Sequence, residues 1–238
     1  MNPTIAMITF RGMLGRKRAL LLLVLPTLLL LLAAVLSMTG NDDLDLSTQV
    51  LQKFGLATLL PLLALIAGTG VIGPEIDDGQ IMYVLTKPIP RWVIVLTKLA
   101  VAIVLVTVFA VLPTLMAGLL LIGTTAQVTP AFTVGLLLGG VAYSAVFVAL
   151  GVLSRNAVTI GLLYALVWET LLGSFAPGAK SASVQQWSLS VADALTDAST
   201  VTSTVRLPLA VALLVLVAVT ATFLATFRLR SLAVASAE

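Results

Sequence analysis

Apolar runs of about twenty residues recur along this chain, and the charged residues sit almost entirely between them. A run of that length is what an α-helix needs to cross the hydrocarbon of a bilayer. Within lipid a helix meets all of its own backbone hydrogen bonds, so runs of this kind predict helices rather than isolated strands. Only 10% of the 238 residues are charged and 60% are hydrophobic; a soluble domain is nearer a quarter charged. In water such a chain would expose large adhesive patches. The reading is an all-α integral membrane protein forming one domain over residues 1–238.

Six spans are expected: Ala19–Met38, Phe54–Gly73, Val93–Ile122, Ala131–Leu153, Ala157–Phe175 and Leu207–Phe227. The third is long for one crossing; either Pro113 kinks it or its last turns lie outside the hydrocarbon. The first follows a basic cluster, as a signal peptide would, but its apolar core is longer than a signal core and no A-x-A site follows. It is read as an uncleaved helix. With the N-terminus placed in the cytoplasm, ten Lys and Arg residues fall inside and three (Lys53, Lys180 and Arg206) fall outside. That bias sets both termini in the cytoplasm.

Absent residue types exclude chemistry. The sequence has neither Cys nor His, which removes disulfides, thiolate metal sites, histidine ligation and the usual near-neutral proton shuttle. No catalytic or metal-binding residue is assigned, and no nucleic-acid partner is expected.

One dense polar island, residues 74–92, separates the second and third spans. Glu75, Asp77 and Asp78 open it, and Asp77 or Asp78 can cap a short helix with acid at the positive end of the dipole. Ile81, Val84 and Leu85 fall at i, i+3 and i+4 and form one apolar stripe. Lys87 lies near the helix end, and Pro88 stops it. Two readings stand: a connector resting on lipid head groups, or a knob that docks into a cytoplasmic partner.

Elsewhere the signals are weaker. Residues 1–18 can form an amphipathic helix with Met7, Phe10 and Leu14 on one face, lying on anionic lipid or touching a partner. Glu169 is the acidic residue placed well inside a span, with Trp168 beside it; it is read as lining a pathway or locking helices, or as reaching the outer interface. Gly135 and Gly139 form a G-x-x-x-G pair that permits close helix approach. Residues 175–206 form a polar external segment. Within it Val184, Trp187, Val191 and Leu195 have helical spacing, and a short amphipathic helix lying against the outer membrane face is expected.

The island resembles the loop after the second span in ABC-2-type transporter permeases, including the NosY-like and antibiotic-exporter branches. Those permeases carry a glutamate, a glycine about four residues on, a short helix, then a proline, an arginine and a lysine. Here these are Glu75, Gly79, Pro88, Arg91 and Lys98. Gln80 departs from the Thr or Ser often found after the glycine. The stretch Tyr164 to Glu169 followed by Pro177 and Gly178 resembles the same family.

The resemblance implies a type V-like permease with the island as coupling helix, made of Glu75, Asp77, Asp78, Gly79, Ile81, Val84, Leu85, Pro88 and Arg91. It also implies two copies of a separate ABC ATPase subunit that bind ATP and Mg²⁺, and a second permease copy in a homo- or heterodimer. The setting would be a bacterial cytoplasmic membrane, and the task export of a small amphipathic molecule, drug or lipid. The chain has no G-x-x-x-x-G-K-[ST] loop to cradle ATP, so hydrolysis would belong to the partner. The competing classes are an ion- or proton-coupled secondary transporter, which needs titratable groups near the midplane, and a non-transporting assembly subunit.

Overall fold

The computed structural model describes residues 3–13, 15–39, 43–73, 75, 90–167, 182–198 and 200–235, and among these every regular element is a helix. They are α1 (Pro3–Met13), α2 (Arg16–Met38), α3 (Leu44–Gln49), α4 (Leu60–Gly70), α5 (Arg91–Val106), α6 (Leu112–Leu121), α7 (Val128–Leu153), α8 (Ala157–Leu163), α9 (Val184–Leu195) and α10 (Leu207–Ala235). Five stretches are long and apolar enough to cross a membrane: Leu20–Met38, Leu44–Gly70, Arg91–Leu121, Thr125–Leu153 and Leu207–Ser231. The expected fifth span is described from Ala157 to Val167 as a shorter apolar helix, and its remainder lies outside the described residues.

The second span begins at Leu44, ahead of the expected Phe54. Asp43 caps it, its side chain accepting from the Asp45 N–H at 2.9 Å. Between α3 and α4 the chain runs as a π-helix over Val50–Leu59, and between α5 and α6 it does so over Thr107–Val111. Each wide segment ends just before a proline, Pro61 or Pro113, in the first turn of the helix that follows. A proline lacks an N–H and its ring collides with the preceding turn. The wider π turn gives the ladder a place to absorb both defects. The first π segment packs on the first turn of α6, because a Cβ at Gly55 would come within 2.8 Å of the Thr114 methyl.

α7 is the central post. Two thirds of its most apolar window is buried (67%), against 11% for α10 and 22% for α2, which present most of their surface to the surroundings. α4, α5, α9 and α10 all pack on it. Phe132, Leu136, Tyr143 and Phe147 form its buried face, with Tyr143 and Phe147 stacked at 6.0 Å.

α9 forms where the helical spacing predicts it, and Ser183 caps it by accepting from the Gln186 N–H at 3.4 Å. Val184, Trp187 and Val191 are buried as a helical stripe requires, whereas Leu195 is exposed. The helix stands against α7, and Ser188, Leu189 and Ser190 are buried too. Gly135 and Gly139 are its seat: a Cβ on Gly135 would sit 2.7 Å from the Ser188 carbonyl oxygen. The G-x-x-x-G pair thus serves close approach inside one chain.

The C-terminal end of α9 is stapled to the turn before α7. Ala126 and Gln127 hold positive φ of 48° and 57°, a conformation that costs a non-glycine residue roughly 1–2 kcal/mol. The Ala126 carbonyl accepts from Thr196 Oγ1 at 2.8 Å and from the Asp197 N–H at 3.0 Å, which offsets that cost. Asp193 then accepts from the Ser203 N–H at 2.9 Å and Ser203 Oγ at 2.7 Å, and Ser190 Oγ donates to the Val205 carbonyl at 2.8 Å.

α1 packs on the bundle through a face other than that of Met7 and Phe10, which stays open to the surroundings. Thr9 and Met13 are buried, Ile5 and Ala6 partly so, while Met7 and Phe10 point outward. Leu14 lies outside the described residues. Met13 reaches Gly70 at the end of α4, where a Cβ would meet its sulfur at 2.8 Å. The helix has apolar residues on two sides, and the side with the small Ala6 and Thr9 fits closely against α5.

Candidate functional site: the base of the polar island

Of the residues assigned to the island, Asp77, Asp78, Gly79, Ile81, Val84, Leu85 and Pro88 lie outside the described residues, as do Trp168 and Glu169. Glu75 and Arg91, at the island's two ends, are described. Arg91 is the first residue of α5, partly buried, and Pro90 precedes it with φ −56° and ψ 133°. That extended backbone sets where the island ends and the third span begins.

Two turns into α5 stands Lys98, whose side chain is fully buried. Its carbon stem packs in the bundle and its ammonium sits among oxygens from three other parts of the chain. Nζ donates to Glu75 Oε1 at 2.6 Å, to the Val71 carbonyl at 2.6 Å and to Thr9 Oγ1 at 3.5 Å. An ammonium carries three N–H donors, and all three directions are used.

Each contact has a physical reason. The Val71 carbonyl closes α4, where helix carbonyls lack intrahelical partners and the dipole is negative, so a cation is favoured there. Glu75 neutralises the charge, without which a buried ammonium would cost several kcal/mol. Thr9 brings α1 to the same point. One side chain therefore joins the N-terminal helix, the end of the second span, the first residues of the island and the start of the third span.

The Glu75 side chain is 25% exposed while that of Lys98 is 1% exposed. The carboxylate is the member that can reach water, and the ammonium is committed to the protein. The arrangement ties Glu75, at the island's start, to α1, α4 and α5 through one side chain.

Sequence reading placed Glu75 and Lys98 in one motif but did not pair them, and it missed Thr9 and the Val71 carbonyl. Part of the signal was present: a lone lysine inside an apolar span needs a counter-charge, and the carboxylates shortly before it along the chain are Glu75, Asp77 and Asp78.

The family model described as ABC-2 family transporter protein matches residues 14–175, which run from the start of the first span through the island and α8. No curated protein matches the chain.

Proposed function

The chain belongs to the ABC-2 transporter family, and from that membership we propose that it is the membrane-spanning permease subunit of an ATP-driven exporter of the NosY-like or antibiotic-exporter kind. In this reading six spans cross a bacterial cytoplasmic membrane with both termini inside, a second permease copy completes the pathway, and two ATPase subunits bind ATP and Mg²⁺. The lysine and arginine bias supports that orientation. The cargo is a small amphipathic molecule, a drug or a lipid.

The observation that carries the reading is the Lys98 junction. A loop that merely rested on lipid would need no buried ion pair at its root. A lever needs one, because force applied to the island must reach the spans without being lost in a flexible joint. The stripe of Ile81, Val84 and Leu85 is the surface offered to the ATPase groove, and Glu75 passes its movement on to the bundle.

The test is reconstitution with the cognate ATPase. Ile81→Asp and Leu85→Asp are expected to leave the permease folded, to weaken co-purification with the ATPase, and to abolish ATP-driven transport while basal hydrolysis continues. Normal transport by both variants would refute docking at the stripe. Transport that persists with no ATPase present would refute the class.

A further inference from the structure

At the end of the molecule that holds the island's base, an apolar groove of about 500 Å³ opens between α5 and α10. Leu96 and Trp92 line it from α5; Val219, Phe223, Phe227 and Arg230 line it from α10. Its volume lies in the range of clefts that hold small ligands. Phe223 and Phe227 are largely exposed and stand as its outer rim.

The polar chemistry of the groove is unevenly placed. Two threonines also line it, but their hydroxyls are spent on their own helix: Thr222 Oγ1 donates to the Ala218 carbonyl at 2.7 Å and Thr226 Oγ1 to the Thr222 carbonyl at 2.8 Å. The trench wall is therefore apolar in effect. At one end stands the Arg230 guanidinium, and among the described residues no carboxylate pairs with it. Trp92 stands at the same end, and tryptophan is favoured at the boundary between hydrocarbon and head groups.

Length fits depth. From Ala218 to Arg230 along α10 is roughly 18 Å at the helical rise. One leaflet contributes about 15 Å of hydrocarbon before its head groups begin. An occupant of this groove has an apolar body one leaflet long and a negatively charged head at the basic end.

We propose that the groove between α5 and α10 holds an anionic phospholipid from the leaflet at the end carrying Trp92 and Arg230, its acyl chain along Leu96, Val219 and Phe223 and its phosphate paired with Arg230. A second protein copy would supply the apolar body but would bury an unpaired guanidinium. A zwitterionic lipid would bring its own cation into competition for the phosphate.

The experiment uses the full chain in nanodiscs of phosphatidylcholine with a minority of phosphatidylglycerol. Retained lipid is counted by native mass spectrometry after transfer to mild detergent. The wild type is expected to keep phosphatidylglycerol in excess of its share of the disc. Arg230→Gln should lower that retention about fivefold, the value of one cation near a charged surface. Arg228→Gln, exposed on the same helix but outside the groove, should leave it unchanged. Val219→Trp, at an exposed position in the trench, should expel the lipid while helical content and homogeneity stay as in the wild type. Equal retention of both lipids by the wild type overturns the proposal. Equal loss in Arg228→Gln and Arg230→Gln also overturns it, because general surface charge then explains the binding. If Val219→Trp changes the oligomeric state and no lipid is lost, the groove belongs to a second copy and the proposal fails.

Discussion

Glu75→Ala is expected to destabilise the protein more than Lys98→Met, although both remove the same ion pair. In Glu75→Ala the ammonium remains where it was, fully buried, with the Val71 carbonyl at 2.6 Å and Thr9 Oγ1 at the edge of hydrogen-bond range. Stranding one partner of a buried pair costs about 3–5 kcal/mol. In Lys98→Met the hydrocarbon stem is replaced by one of similar length, and Glu75, a quarter exposed, turns toward water. The remaining loss is the charged contact at the end of α4, about 1 kcal/mol. The double variant should therefore resemble Lys98→Met and recover roughly 2–4 kcal/mol relative to Glu75→Ala. The assay is unfolding in mixed SDS and dodecyl maltoside micelles, followed by tryptophan fluorescence, with Trp92 close to the junction. If Lys98→Met is as damaging as Glu75→Ala, or if the two losses simply add, the assignment of burial and pairing is wrong.

Two further outcomes follow from packing. Gly135→Ala should cost about 1–3 kcal/mol, because its methyl meets a backbone carbonyl that cannot move aside, whereas Gly12→Ala in α1 meets nothing within 4 Å and should gain up to about 1 kcal/mol; the same micelle titration reads both. Asp193→Ala removes two acceptor contacts to Ser203 and should cost about 1–3 kcal/mol. It should also speed proteolytic nicking over residues 196–206, and Asp193→Asn should restore part of the protection.

The spans were legible because lipid imposes a length and a composition on each one. What sat within them was not. No local period announces a π segment, since the pattern of leucines, valines and alanines is the same on a wide turn as on an ordinary one; the prolines marked the place but not the remedy. The stripe of Val184, Trp187 and Val191 showed that α9 has a face to bury. A helix resting on a membrane and a helix seated against α7 need the same stripe, and only the seat at Gly135 and Gly139, forty-odd residues away, separates them. The Met7 and Phe10 face of α1 is exposed, as a face meant for lipid or a partner would be, and what the sequence did not reveal is that Ala6 and Thr9 form the face toward α5. The pairing of Glu75 with Lys98 required the second span to end beside the start of the third, which is a property of the fold and not of either helix.

The two prolines that follow π turns have a consequence for how the bundle deforms. Pro61 and Pro113 stand on the two limbs that leave the island, each just past a π turn, and the loosened turn of one limb, at Gly55, packs on Thr114 beside the proline of the other. Below that level each limb is an unbroken α rod, stiff along its axis; at that level both ladders are already slackened. In the proposed coupling, a thrust entering at the root of the limbs would meet these slackened turns and emerge as a change of angle in the far half of the bundle.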